Sequence, residues 1–291
     1  MTPMRAAAVA GTWYPGSAPA LKRAVEGHLS LARPDVAPEF DELVAVIAPH
    51  AGLVYSGPVA AWAYELVRRY AFDVLVLVGP SHFVRFDGVS IYPAGGFESP
   101  FGPVWIDEPC ATAIMQATPT VRELPTAHGR EHSLEMQIPF IQCVAPQATI
   151  VPLLMGVQSD EAARTLGEAL ASALPQRRAL LVASSDLSHY HDAATAARMD
   201  EVVMDCVARF DPDGLQEALD RQPGHACGGA PMVAVMRAAR ALGARDAAVL
   251  KYADSGDVSG DKSCVVGYMA AAIGARRSAA PRAADKETSG R

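Results

Sequence analysis

Four short apolar runs constrain this chain more than anything else in it. They are LVAVIA at 43–48, VLVLV at 74–78, IVPLL at 150–154 and ALLVA at 179–183. A run with no polar alternation leaves no face for solvent, so each reads as a strand buried on both sides. None approaches the ~20 apolar residues that a membrane-spanning helix needs. Between them the pattern changes period. Residues 57–70 carry Val59, Trp62, Ala63, Leu66 and Val67 at helical spacing and close on Arg68 and Arg69, which suit a helix C-terminus.

Residues 89–92 read as a further strand that leads into a Gly/Pro-rich loop over 93–103. A helix is expected over 133–144, with Pro139 as a kink point. Ser159 or Asp160 caps another that runs to about residue 174. Helices follow over 195–210, from Asp211-Pro212 onward in the cap-then-proline order, and over 227–242. Runs at 247–252 and 264–271 read as closing strands. Strands that alternate with helices predict a single α/β domain over 1–275, with a central, mostly parallel sheet covered by helices on both faces. Residues 276–291 are Ala, Arg and polar residues without periodicity, and are expected to be a disordered tail.

Composition narrows the partners. A net charge of −7 repels phosphate backbones and argues against nucleic acid. The five cysteines form no CxxC pair, and their number is odd, which suggests reduced thiols rather than a disulfide framework. The N-terminus lacks a signal-peptide apolar region, so the expected location is cytoplasmic, with no membrane partner.

The informative residues sit where the apolar runs end. Pro49-His50-Ala51-Gly52 follows the first run, Pro80-Ser81-His82 the second, and Asp186-Leu187-Ser188-His189 the fourth. Open α/β sheets bind ligands beyond the carboxyl ends of their strands, so these three histidines are expected to converge. Cys227, in His225-Ala226-Cys227-Gly228-Gly229, adds a thiol at a predicted helix N-terminus, where the dipole is expected to lower its pKa. The plainer alternatives are satisfied loop histidines and a small core cysteine like Cys110, Cys143, Cys206 and Cys264. Two imidazoles and a thiolate suit Fe(II), Cu or Zn(II), and three protein ligands leave a coordination position open. His189 and Asp186 are then candidate acid/base groups, unless they simply satisfy each other. Glu131-His132-Ser133-Leu134-Glu135-Met136 packs two carboxylates and a histidine at a helix start, where Glu131 and Ser133 read equally well as capping groups. Asp254-Ser255-Gly256-Asp257 is either plain turn chemistry or the border of the same crevice. Trp13, Tyr55, His132 and Asp254 are the candidate substrate-binding residues.

Several of these segments occur together in a recognisable order. They are Gly11-Thr12-Trp13-Tyr14-Pro15, Ala48-Pro49-His50-Ala51-Gly52 with Tyr55-Ser56-Gly57, and Gly79-Pro80-Ser81-His82. Residues 131–137, Ser184-Ser185-Asp186-Leu187-Ser188-His189 and Cys227-Gly228 complete the series. Over about residues 5–272 the chain resembles the Memo family, whose bacterial and archaeal members are called AmmeMemoRadiSam system protein B. The stretch 252–261 looks like the prokaryotic branch. The resemblance implies a fold similar to class III extradiol (LigB-type) non-haem iron dioxygenases, in which two histidines and a glutamate hold Fe(II). By motif, His50 and His82 match the histidine ligands, Cys227 stands at the third-ligand place, and His189 matches the acid/base histidine beside Asp186. A cysteine for the glutamate departs from the dioxygenases and softens the site towards copper.

Three function classes follow. The first is a redox-active iron or copper enzyme acting on an unknown small molecule. The second is a non-catalytic metal-handling protein beside the AMMECR-type and radical SAM partners that the family name implies. The third is a metal-free peptide or small-molecule binding module. A zinc hydrolase is a weaker variant, because the chain has no HExxH helix.

Overall fold

The computed structural model describes residues 3–32 and 39–276. In chain order the N-terminal half runs β1 (Met4–Arg5), α1 (Ala18–Leu31), β2 (Glu42–Ala48), α2 (Leu53–Val67), β3 (Val74–Pro80) and β4 (Val89–Ile91). Then come β5 (Gly96–Phe97), β6 (Val104–Trp105), α3 (Glu108–Ala117), β7 (Val121–Glu123), α4 (Pro125–His128) and α5 (Ile138–Val144). The C-terminal half runs β8 (Thr149–Met155), α6 (Asp160–Ala173), β9 (Ala179–Ser184), β10 (His189–His191), α7 (Ala193–Ala208) and α8 (Pro212–Arg221). It closes with α9 (Gly229–Ala241), β11 (Asp246–Asp254), α10 (Gly256–Ser259) and β12 (Val265–Ala275).

The four apolar runs become β2, β9, β3 and β8, side by side and parallel in that order. Their inner residues are almost wholly buried, because helices pack on both faces. One layer is α1, α2 and α5, in mutual contact and laid over β2 and β12. The other is α9, with α6 and α8, laid over β9, β3 and β2. The edges are antiparallel: β12 pairs with β2, β11 and β10 pair with β12, and β4 lies antiparallel to β8 while pairing in parallel with β7. A small second sheet, β1-β5-β6, ties the N-terminus to the Gly/Pro-rich loop. This α/β architecture is the expected one.

Boundaries shift where local chemistry differs from the pattern. Helix α2 begins at Leu53, capped by Gly52, so it starts almost directly behind His50. The helix expected from residue 133 is a 3-10 turn over Glu135–Gln137 that opens into α5 at Ile138. Pro139 lies in the first turn of α5, where its missing N–H costs nothing. Ser159 caps α6 by accepting from Ala162 N, and Asp211 caps α8 by accepting from Gly214 N. Of the tail expected over 276–291 only Arg276 is described; the rest lies outside the described residues.

Candidate metal centre

Because β2, β3 and β9 are parallel and adjacent, the residues just past their carboxyl ends share one edge of the sheet. A cavity of about 420 Å³ opens there, lined by Trp13, His50, His82, His132, Asp186, His189, Tyr190 and Cys227 among others. Among the described residues, His50, His82 and His132 form a group whose donor atoms all lie within 4.8 Å of one another. The His50 and His82 rings meet edge-on at 5.3 Å, and His132 stacks on His82 at 4.6 Å with 11° between the planes.

The tautomers follow from acceptor-only partners. Gln137 Nε2 donates to the Pro49 carbonyl at 3.1 Å and to Ser184 Oγ at 2.8 Å, while its Oε1 accepts from Tyr64 OH at 2.7 Å. Ser184 Oγ spends its own proton on the Ser133 carbonyl at 2.7 Å, so it can only accept from His50 Nδ1 at 2.9 Å. His50 therefore carries its proton on Nδ1 and presents a bare Nε2 to the cavity. Burial, followed by the neighbouring His82 and His132 rings, holds its pKa well below the ordinary histidine value. The ring is neutral, as metal ligation requires.

His82 is set by Glu131. The carboxylate accepts from His82 Nδ1 at 2.8 Å and from His82 N at 2.6 Å, and also from the backbone N–H groups of His132 and Ser133 at 2.9 Å each. Burial opposes ionisation of Glu131, but these bonds, led by that of His82, outweigh it and hold the carboxyl at about 2. Glu131 is thus not a helix cap. It orients His82 and leaves Nε2 bare, in the carboxylate–histidine arrangement typical of metal sites. Burial also lowers His132 to about 4, so this ring too is neutral near pH 7. His132 stands with the potential ligands rather than with the substrate-binding residues alone.

Cys227 Sγ lies 3.2 Å from His50 Nε2, outside the group of donors that all lie within 4.8 Å of one another. Its electrostatics are the reverse of the expectation. Helix α9 starts two residues later, at Gly229, and burial together with the Asp186 carboxylate pushes the thiol pKa up rather than down. Asp186 interlocks with it: Asp186 N donates to Sγ at 3.3 Å, and Cys227 N donates to the Asp186 carbonyl at 3.2 Å. The Asp186 carboxylate accepts from His50 N at 2.7 Å and from Ala51 N at 3.3 Å, while burial raises its pKa to about 6. His189 Nδ1 donates to the Leu187 carbonyl at 2.8 Å, so its Nε2 is the free acceptor. Asp186 and His189 line the same cavity but are not hydrogen-bonded to each other.

The remaining sequence candidates divide. Trp13 packs against His132 at 4.3 Å between ring centroids and forms part of the cavity wall. Tyr55 and Asp254 do not line the cavity. Asp254 instead accepts from Gly256 N at 2.7 Å and pairs with Lys262 at 2.8 Å, which is turn chemistry. His225 is also outside the cavity lining. Ser184, Gln137 and Tyr190 were not anticipated. Tyr190, at the rim, has a φ of 65°, a left-handed conformation rare for an aromatic residue.

A family model described as Memo-like protein matches residues 5–272. The chain is 38% identical to a MEMO1 family protein of Ignicoccus hospitalis over 277 residues, spanning 92% of this chain and 97% of the relative. It is 39% identical to another from Methanothermobacter thermautotrophicus, spanning 91% and 98%. A crystal structure of uncharacterized protein JW3007 from Escherichia coli K12 shares the fold, with a TM-score of 0.53 at 14% identity, covering 78% of this chain and 99% of that one.

Proposed function

This chain belongs to the Memo family, and from that premise we propose that it is a metal-binding protein holding one transition-metal ion at His50 and His82, with His132 and Cys227 contributing from either side. The observation that carries this reading is the set of three imidazoles with donors within 4.8 Å of one another, two of them oriented through Nδ1 by Ser184 and Glu131 so that Nε2 is turned to the cavity. The donor set fits a borderline or soft ion: iron, copper or zinc. When bound, such an ion supplies a Lewis-acidic and, for iron or copper, redox-active centre.

The chain's own residues do the rest. Ser184 and Glu131 hold the rings in one tautomer and orientation, so little ordering remains when the ligands are engaged. Cys227 keeps its proton while the site is empty, because burial and Asp186 disfavour the thiolate. Ligation through sulfur would release that proton, so the affinity would fall as the pH is lowered. His189 offers Nε2 to a cavity ligand as a proton acceptor. Trp13 forms one wall of the cavity.

The test is element-resolved metal analysis of protein purified without oxygen, alongside His50→Ala, His82→Ala, His132→Ala and Cys227→Ser. A single ion per chain is expected in the wild type and its loss in His50→Ala and His82→Ala. The other two variants identify the third ligand. Wild-type protein that takes up neither Fe(II), Cu(I) nor Zn(II), or unaltered loading of both histidine variants, would sink the reading.

A further inference from the structure

A second cavity, of about 610 Å³, lies on the other side of Trp13. Its walls are the Gly11–Pro15 loop, one face of α1, and Leu53 and Val54 at the start of α2. The lining is predominantly apolar, and its large side chains are unusually accessible: Leu31 is 73% exposed, Val54 57% and Trp13 38%. Such a concentration of apolar surface marks a place where something binds.

Two features say what it is. Arg23, Gly27 and Leu31 lie four residues apart on α1, so they share one face, opposite the buried Leu21, Val25 and Leu29. From Arg23 to Leu31 that face runs about 12 Å, at 1.5 Å per residue. Gly27 sits mid-helix, where glycine is unfavourable, and a Cβ built there meets nothing within 4 Å. The missing side chain keeps the floor open. Arg23 is the charged group of the lining. It has no hydrogen-bond or ion-pair partner among the described residues, since the nearby Glu26 is taken by Arg68 at 3.2 Å. His28, also on the wall, has its pKa lowered by burial.

We propose that this groove is a second ligand site, for a medium-chain carboxylic acid whose carboxylate pairs with Arg23 and whose chain lies over Gly27 towards Leu31. The occupant is amphipathic because the lining is: one unpaired guanidinium at one end and an apolar channel beyond it. The site is separate from the metal ligands but shares Trp13 with them, so an occupant bears on one wall of the metal cavity.

The experiment is titration of the full chain with decanoate below its micellar concentration, followed by calorimetry and tryptophan fluorescence, with decanol as the uncharged control. Saturable one-to-one binding of decanoate is expected. Gly27→Phe fills the groove and should abolish it, while Arg23→Gln should weaken it about tenfold without changing decanol binding. Leu31→Asp, at a highly exposed position, gives a second variant that does not threaten folding. His82→Ala should bind decanoate as the wild type does, which separates this site from the metal reading. Three results would overturn the proposal. One is absence of saturable binding; another is equal affinity for decanol and decanoate with no Arg23 effect. The third is a concentration-dependent dimer that Gly27→Phe dissolves, which would assign the groove to a second copy of the chain.

Discussion

Replacing Ser184 by alanine removes one oxygen that serves three elements. That oxygen donates to the Ser133 carbonyl at 2.7 Å and accepts from His50 Nδ1 at 2.9 Å and Gln137 Nε2 at 2.8 Å. All four residues are fully or almost fully buried, so water cannot simply replace it. A buried polar group left without a partner costs roughly 1–3 kcal/mol. Gln137 Nε2 retains the Pro49 carbonyl, so its loss is partial. His50 Nδ1 and the Ser133 carbonyl carry most of the penalty, and the expected destabilisation is about 3 kcal/mol. The same change frees the His50 ring to rotate or switch tautomer, which should lower metal affinity about 10–100-fold. Urea unfolding of metal-free protein measures the first effect, and a competition titration with a chelator measures the second. Pairing the change with Gln137→Leu closes a double-mutant cycle, in which the coupling should exceed about 0.5 kcal/mol because the two side chains share the bond. A loss below about 1 kcal/mol with unchanged metal affinity would refute the idea that Ser184 sets His50.

Two further outcomes follow from buried groups elsewhere. Ser90 Oγ donates to the Leu124 carbonyl at 3.0 Å and so accepts from His128 Nε2 at 3.0 Å, which leaves the buried His128 Nδ1 without a partner among the described residues. Burial, helped by the Arg5 charge, lowers His128 from 6.5 to about 3. Between those values the unfolded chain takes up a proton that the folded chain refuses. Stability present above pH 6.5 is therefore lost as pH falls, by up to about 1.4 kcal/mol per unit from this one group. His128→Leu should flatten that acid limb in denaturant titrations between pH 6.5 and 4, and an identical slope would exclude His128 as its source. At Gly228 a Cβ would stand 2.5 Å from the Ser184 carbonyl oxygen and 2.8 Å from Ser185 Cβ. Gly228→Ala should cost about 2–3 kcal/mol and loosen metal binding by moving Cys227 away from His50; unchanged melting and unchanged metal affinity together would refute it.

The strands and their parallel core were legible in the sequence, because a run such as VLVLV has no polar face and can lie only inside a covered sheet. That burial also put His50, His82 and the Asp186–His189 turn at one edge, since parallel neighbours end on the same side. The glycine-rich setting of Cys227 marks it in the sequence, but its electrostatics do not show there. A helix dipole acts locally, whereas burial and the carboxylate of Asp186, 41 positions away, set the thiol. What holds the ligands was likewise invisible. Glu131 looks like a capping group in sequence and becomes the His82 clamp only because the chain folds back over 49 positions. Ser184 and Gln137, 47 apart, meet under His50 for the same reason. Hydrophobic pattern is a property of a segment and can be read along the chain. A histidine's tautomer, and a residue's place among possible ligands, depend on which donors and acceptors arrive from elsewhere, and tertiary closure alone brings them together.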